Sequence, residues 1–312
     1  MWLVSAFGMS DSNQSENRAG VVSGLTAYLM WGALTTFWKL LDDFDAFELI
    51  GWRVVTAMVL LLAVVVAQRS LGAVTTALRN PRLLARIVAA SVLLVANWTL
   101  YVWAVVNEQI IETALGYFIA PLFTTLTGVV MLGERLRVLQ KIALGFAGLA
   151  VAVLTISYGR PPYLALAIAG TWTIYGLLKK QVPLRPIDSL TAETVVLFVP
   201  AVGLVAWSFS RDAGIPSTAT TGQLVLVLLT GLITAVPLLF FAHAALRLPL
   251  TLMGPLQYLV PVINFLLGWL AYGEPLEAAR LAGFLLVWCG LALSLVDTLR
   301  SRATFTTAKK SS

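Results

Sequence analysis

The chain has 312 residues, of which 59% are hydrophobic and only 12% are charged, and its mean hydropathy is +0.88. A soluble domain of this length needs more charge to cover its surface, so the composition excludes an ordinary soluble protein and indicates that lipid covers much of the chain. The net charge of +6 does not indicate nucleic-acid binding, because the basic residues lie between apolar runs rather than in one patch.

Apolar runs that are interrupted by charges, prolines or polar clusters predict ten membrane spans. A span needs about 20 mostly apolar residues to cross about 30 Å of hydrocarbon. Continuous apolar runs favour helices, because a barrel would show short segments of alternating polarity. The predicted fold class is an all-α polytopic membrane protein with spans near residues 20–40, 48–67, 86–106, 112–132, 139–157, 163–179, 190–209, 223–245, 249–271 and 278–298.

Both ends of the chain are polar. Residues 1–19 lack the basic start and long apolar core of a cleaved signal peptide, so they predict a polar N-terminal tail. Residues 299–312 predict a basic C-terminal tail, and both tails are expected to be disordered. One cysteine, Cys289, and one histidine, His243, cannot form a disulfide or a zinc cluster within one chain, so we predict no metal and no cofactor.

Lysine and arginine residues concentrate in alternate gaps between the spans, which predicts the orientation. If both termini are cytoplasmic, the outer segments hold few of the 21 basic residues. These are Lys39, Arg160, Arg211 and Arg280, and Arg53 falls inside the second span. The positive-inside rule therefore predicts a multi-pass protein of the cytoplasmic membrane with both termini on the inner side.

The sequence repeats itself at an offset of 140 residues, where APLFTTLTGVVMLGERL aligns without gaps on VPVINFLLGWLAYGEPL. A first repeat at 20–157 and a second at 158–298 each carry five spans, and an odd number inverts the second copy in the membrane. Glu134 is expected on the inner side and Glu274 on the outer. The identities are Pro121/Pro261, Leu126/Leu266, Gly128/Gly268, Gly133/Gly273, Glu134/Glu274 and Leu136/Leu276.

Pro121 and Pro261 are predicted near the middle of spans four and nine. A proline within a helix removes one hydrogen bond and frees the carbonyl one turn earlier, here that of Tyr117 or Gln257. Interrupted spans at equivalent places in two repeats point to a substrate site near the midplane. The alternative is that each proline only kinks its helix for packing.

Polar and aromatic side chains at depth extend this candidate cavity to Tyr28, Trp31, Asn97 and Asn264. Each could line an aqueous path. Asn97 and Asn264 could equally join neighbouring helices through hydrogen bonds.

Ionisable residues within spans are costly and therefore candidates for function. Arg53 could contact a substrate carboxylate or pair with a loop acid. Glu193 is the better candidate for a proton-coupling carboxylate, although it and His243 lie near inner span ends, where snorkelling could relieve them. No phosphate-binding loop, HExxH pair or GxSxG elbow occurs, and we predict no catalytic residues.

Several strings are typical of one transporter family: AYLMWG, LGYFIAPL, MLGERL, TAVPLLFFA and LQYLVP. Over nearly all of residues 20–298 the chain resembles the EamA-like branch of the drug/metabolite transporter superfamily, and within it the RarD group. The resemblance implies ten helices in two inverted repeats, a central cavity, and export or permeation of small metabolites or drugs. RarD-type members are labelled as chloramphenicol-sensitivity permeases, and the family supplies no site residues to carry over.

The leading hypothesis is a secondary transporter that binds a small molecule between its halves and needs no nucleic-acid partner. A membrane-embedded enzyme acting on lipid-linked substrates is a first alternative, which a pocket joining Glu193 and His243 would favour. A receptor or assembly subunit is a second alternative, in which a small-residue face at Gly20–Gly24 would pack against a partner helix.

Overall fold

The computed structural model describes residues 11–132, 136–248 and 256–310, and all regular structure within these ranges is helical. The helices are numbered in chain order. They are α1 (Asp11–Lys39), α2 (Ala46–Ala67), α3 (Leu71–Arg79), α4 (Pro81–Val106), α5 (Ile110–Leu132), α6 (Val138–Tyr158), α7 (Tyr163–Lys179), α8 (Pro186–Phe209), α9 (Ile215–Thr218), α10 (Thr221–Ala245), α11 (Leu259–Leu266) with a π-helical turn (Leu267–Ala271), and α12 (Ala278–Lys310).

The all-helical membrane prediction is confirmed. Among the described residues, eight helices are long and apolar enough to cross a membrane, namely α1, α2, α4, α5, α6, α8, α10 and α12. Two helices at the other predicted spans are shorter, since α7 has 17 residues and residues 259–271 continue α11 only through the π-helical turn. At about 1.5 Å per residue, 17 residues reach about 25 Å, which is less than the hydrocarbon thickness.

The expectation of disordered tails is wrong for the described parts of both ends. α1 already begins at Asp11, and α12 continues to Lys310. In each case a polar segment extends a helix whose apolar part is already formed, and adding residues to a formed helix costs much less than nucleating a new one. The short helix α3 was not predicted either, because its nine residues are too few for a membrane span.

Helices related by the 140-residue offset pack in corresponding ways. The offset relates α1–α6 to α7–α12 in order. α2 packs on α8, α6 packs on α12 and α5 crosses α11. α1 packs on α10 as α7 packs on α4, α5 packs on α7 as α11 packs on α1, and α2 packs on α10 as α8 packs on α4. Each of these contacts therefore has a counterpart when the two halves are exchanged.

The small-residue face of α1 is occupied within the chain. A side chain added at Gly20 would place its Cβ 2.9 Å from the Cβ of Arg247, and one at Gly24 would lie 2.9 Å from Leu256 Cδ1. Both glycines thus allow α1 to approach the chain that follows α10. This face is not free for the partner helix that the receptor alternative requires.

Candidate functional site

Arg53 lies two turns into α2 and is only 5% exposed. Its Nε donates a hydrogen bond to Thr234 Oγ1 of α10 at 2.9 Å. The guanidinium carbon lies 3.9 Å from the ring centroid of Trp98 on α4 and 5.5 Å from that of Trp38 on α1. A buried cation therefore sits where four helices meet, stabilised by two aromatic faces.

Arg53 is not paired with an acid among the described residues, and the nearest acid in its own helix has other partners. Glu48 is buried one helical turn and a half earlier in α2, and it accepts hydrogen bonds from Arg211 Nη1 and from the backbone N–H of Ile215, both at 3.2 Å. No carboxylate lies within 4.0 Å of Arg53 in the ranges that the structure describes. The cation consequently has no opposite charge there.

Tyr117 is a half-buried residue of α5. Its hydroxyl donates to Asn97 Oδ1 on α4 at 3.0 Å. Asn97 is fully buried, and its Nδ2 donates to the carbonyl of Ile168 and to Thr171 Oγ1, both on α7. Asn97 therefore joins three helices and holds the hydroxyl of Tyr117, which are the contacts expected of a residue that joins neighbouring helices.

Asn264 is also fully buried and braces helices. Thr35 Oγ1 of α1 donates to its Oδ1 at 2.8 Å, and its Nδ2 donates to Thr113 Oγ1 of α5 at 3.3 Å. The same Thr35 oxygen lies 2.8 Å from the hydroxyl of Tyr101 on α4. This network ties α1, α4, α5 and α11 together toward the predicted outer end of the bundle.

Glu274 completes this outer closure. Its carboxylate accepts the backbone N–H groups of Ile110 at 2.6 Å and of Ile111 at 2.8 Å, the first two residues of α5. Burial raises the pKa of the Glu274 carboxyl, while the two N–H donors oppose that rise. Gly268 permits the approach, because an added Cβ would lie 2.8 Å from Ile111 Cγ1 and 3.3 Å from Ile110 Cβ. The halves are therefore in close contact at this end.

Beyond their crossing, α5 and α11 carry exposed side chains toward the predicted inner end. Thr124, Leu126 and Val130 are exposed on α5. Gln257, in the turn before α11, and Val262, within α11, are exposed as well. On α5 the exposed side chains are confined to the inner half, whereas α11 with its π-helical turn also exposes Leu266, Trp269 and Leu270 near the outer end.

The two prolines are placed differently, contrary to the sequence prediction. Pro121 lies inside the continuous helix α5. Pro261 is the third residue of α11, preceded by a turn at Gln257 and Tyr258, so it does not interrupt the middle of a helix among the described residues. A proline costs little in a first turn, where the backbone N–H has no intrahelical partner.

Glu193 is fully buried on α8 and paired rather than free. Lys179 Nζ donates to its Oε1 at 2.6 Å, Ser189 Oγ donates to the same oxygen at 3.1 Å, and Tyr175 Oη donates to Oε2 at 3.1 Å. The carboxylate is therefore neutralised by a partner from α7, and snorkelling plays no part.

Tyr28 and Trp31 of α1 form an aromatic group with Phe241 of α10, with ring centroids 5.4 to 6.2 Å apart. His243 follows on the same helix but is exposed, and it lines a groove of about 310 Å³ with Ser23, Val236, Leu239 and Phe240. Glu193 is not among the described residues of this groove, so the pocket that would favour an enzyme is not formed there.

The structure brings Arg53, Tyr117 and Asn97 to one region and places Glu193 and His243 in two others. Sequence reasoning missed Thr35, Thr113 and Thr234, because threonine does not interrupt an apolar run. The repeat offset held one unused signal. Arg53 and Glu193 occupy equivalent positions in the two repeats, as do Lys39 and Lys179. In the second repeat Lys179 and Glu193 form an ion pair, whereas their equivalents in the first repeat are both cations.

Comparison with known proteins places this architecture in a family. A sequence profile of the EamA-like transporter family matches residues 18–156 and again residues 161–296. The chain belongs to the EamA-like transporter family. The expected resemblance is thereby confirmed, and the family identifies the chain as an integral membrane transporter of the drug/metabolite type.

Named relatives of this EamA-like chain are bacterial. It is 42% identical to the protein RarD of Streptomyces exfoliatus, over 92% of this chain and 91% of that protein. It is 36% identical to an uncharacterized transporter of Pseudomonas aeruginosa, over 91% and 95% of the two chains. The chloramphenicol-sensitive protein RarD of the same organism is 27% identical, over 90% and 95%.

One crystal structure has a similar fold. It superposes with a TM-score of 0.57 over 90% of this chain and 98% of its own, at 19% sequence identity. The likeness shows a shared fold alone.

Proposed function

We propose that this chain is a secondary transporter that moves small metabolites or drugs across the cytoplasmic membrane by alternating access. In this proposal ten spans form two inverted five-helix repeats, at residues 20–157 and 158–298, with both termini cytoplasmic. The corresponding packing of helices related by the 140-residue offset supports the repeat. Inverted repeats allow one fold to open to either side when the halves exchange conformations.

The asymmetric crossing of α5 and α11 carries the proposal. These helices occupy equivalent places in the two halves, and they meet at the outer end through Gly268 and Glu274. Toward the inner end α5 exposes Thr124, Leu126 and Val130, whereas its outer half is buried. Exchanging the halves would close the inner end and open the outer one, so the structure resembles one of two related states.

The proposed cavity lies between α5 and α11 on the predicted inner side of this crossing. Asn97 and Asn264 belong to its wall, where each also hydrogen-bonds neighbouring helices. The residues proposed to line the cavity or approach it are Arg53, Tyr28, Trp31, Tyr117, Pro121, Gln257 and Pro261.

Reconstituted transport tests this function. Purified protein in proteoliposomes is offered labelled amino acids, small metabolites and chloramphenicol, with and without an imposed pH gradient. We expect saturable flux of at least one compound above that of empty liposomes. Acceleration by the gradient would indicate proton coupling, and gradient-insensitive flux would indicate a facilitator. Flux that never exceeds that of empty liposomes would contradict the proposal.

Filling the cavity should stop transport without affecting membrane insertion. Tyr117→Trp adds bulk on α5, and Gln257→Trp adds bulk in the turn before α11. We expect each variant to lower the flux of the transported compound at least about 10-fold, which corresponds to a barrier change of about 1.4 kcal/mol. Val199→Trp is the matched control, because Val199 is 78% exposed on α8. Undiminished flux in both cavity variants would remove this site.

A further inference from the structure

Arg53 differs from the other buried charged side chains that the structure describes. Each buried acid has a cation within reach or, in Glu274, two backbone donors at its carboxylate. Arg53 is 5% exposed, and its guanidinium contacts one hydroxyl and two aromatic rings. Within the described ranges it is thus the buried charge that lacks an opposite charge.

The aromatic contacts do not compensate this burial. A desolvated cation–π contact contributes less than the effective cost of burying an ion. Arginine keeps its charge under these conditions, because the guanidinium is a very strong base. A bound anion is the ordinary way to remove such a cost.

A neutral donor beside Arg53 lacks an acceptor. The indole Nε1–H of Trp38 is buried and has no hydrogen-bond partner in the described part of the chain. The Trp38 ring lies 5.5 Å from the Arg53 guanidinium carbon. A buried donor without an acceptor, beside a cation without an opposite charge, calls for a ligand that carries negative charge and acceptor lone pairs.

The surroundings define the rest of that ligand. Tyr101 and Tyr117 are close enough to interact electrostatically with Arg53, and their ring centroids are 6.1 Å apart. Trp172 lies at the same distance beyond Tyr117. These side chains offer apolar faces and no second positive charge. They therefore suit a ligand with a single negative charge attached to an apolar body rather than a multiply charged phosphate.

We propose that Arg53 binds the carboxylate of the transported substrate, which is a small organic monoanion with an apolar body. The guanidinium fork matches the two oxygens of a carboxylate, which distinguishes it from a lysine ammonium. This inference rests on the proposed function, because it names the substrate class of the same cavity.

Matched acid and amide pairs test the assignment by binding. The probes are phenylacetate with phenylacetamide, indole-3-acetate with indole-3-acetamide, and butyrate with butyramide, added to purified protein whose thermal unfolding is followed. We expect at least one acid to raise Tm by roughly 5 to 10 °C at about 100 times its Kd, and its amide to have little effect. No difference within any pair would overturn the assignment.

Variants identify the residue responsible. Arg53→Gln should abolish the response to the acid, and Arg53→Lys should keep only part of it, because it retains the charge without the fork. Arg79→Gln is the control, since Arg79 is an exposed arginine at the end of α3. A full acid response in Arg53→Gln would overturn the assignment even if transport is intact.

The same pairs in proteoliposomes separate the two proposals. Binding of an acid without flux of any compound would leave Arg53 as an anion site and contradict transport. Equal flux of acid and amide would leave transport in place and overturn the anion assignment.

Discussion

Replacing Glu274 by glutamine should open the outer end of the bundle. A glutamine carbonyl can accept only one of the N–H groups of Ile110 and Ile111, and its amide donates toward the other. Losing a hydrogen bond to a charged acceptor costs about 1.5 to 3 kcal/mol, so the ratio of closed to open protein should fall about 10- to 100-fold.

The rate of thiol modification measures this opening. Cys289 is exposed and is first replaced by serine, and Ile110→Cys then reports on the closure, because Ile110 is fully buried. Glu274→Gln should accelerate the reaction of this cysteine with a methanethiosulfonate reagent. Glu277→Gln, at an exposed position three residues later, should not. Equal rates in the two variants would show that Glu274 does not hold the closure.

Removing the Glu193 carboxylate should cause the largest loss of stability. In Glu193→Ala the ammonium of Lys179 loses its counter-ion while its side chain stays 23% exposed. Breaking a buried ion pair from one side costs about 3 to 5 kcal/mol. We therefore expect the apparent Tm to fall by roughly 5 to 10 °C.

A double variant separates the pair from either charge alone. Glu193→Leu with Lys179→Met removes both charges, and we expect it to recover most of the lost stability, because apolar replacement of a buried pair is often neutral. Asp42→Ala is the control, since its pair with Lys39 is more exposed. A double variant as unstable as Glu193→Ala would contradict this role of the pair.

Helix positions could be predicted from the sequence because hydrocarbon thickness imposes long apolar runs. The limits of α2, α6 and α10 lie within two residues of the predicted spans. The predicted site was less accurate. The bond from Thr35 to Asn264 joins residues 229 positions apart, and only packing reveals it.

The structure adds to two sequence interpretations. Glu193 is the candidate coupling carboxylate because it is an acid within a span, and packing gives it Lys179 as an ion-pair partner, which the sequence pattern did not show. Pro261 was placed in mid-helix because its apolar run begins much earlier, yet α11 begins only at Leu259. The equivalent of Glu274 in the first repeat, Glu134, lies outside the described residues.

Alternating access at the α5–α11 crossing can be tested with a reversible cross-link. In the Cys289→Ser background, Ile110→Cys and Gly268→Cys place two Cβ atoms about 3.3 Å apart, close to the spacing of a disulfide. The transported compound is assayed in proteoliposomes before oxidation, after oxidation and after reduction, with both single-cysteine variants as controls. We predict that oxidation stops flux only in the double variant and that reduction restores it. Full flux through completely cross-linked protein would contradict alternating access at this crossing.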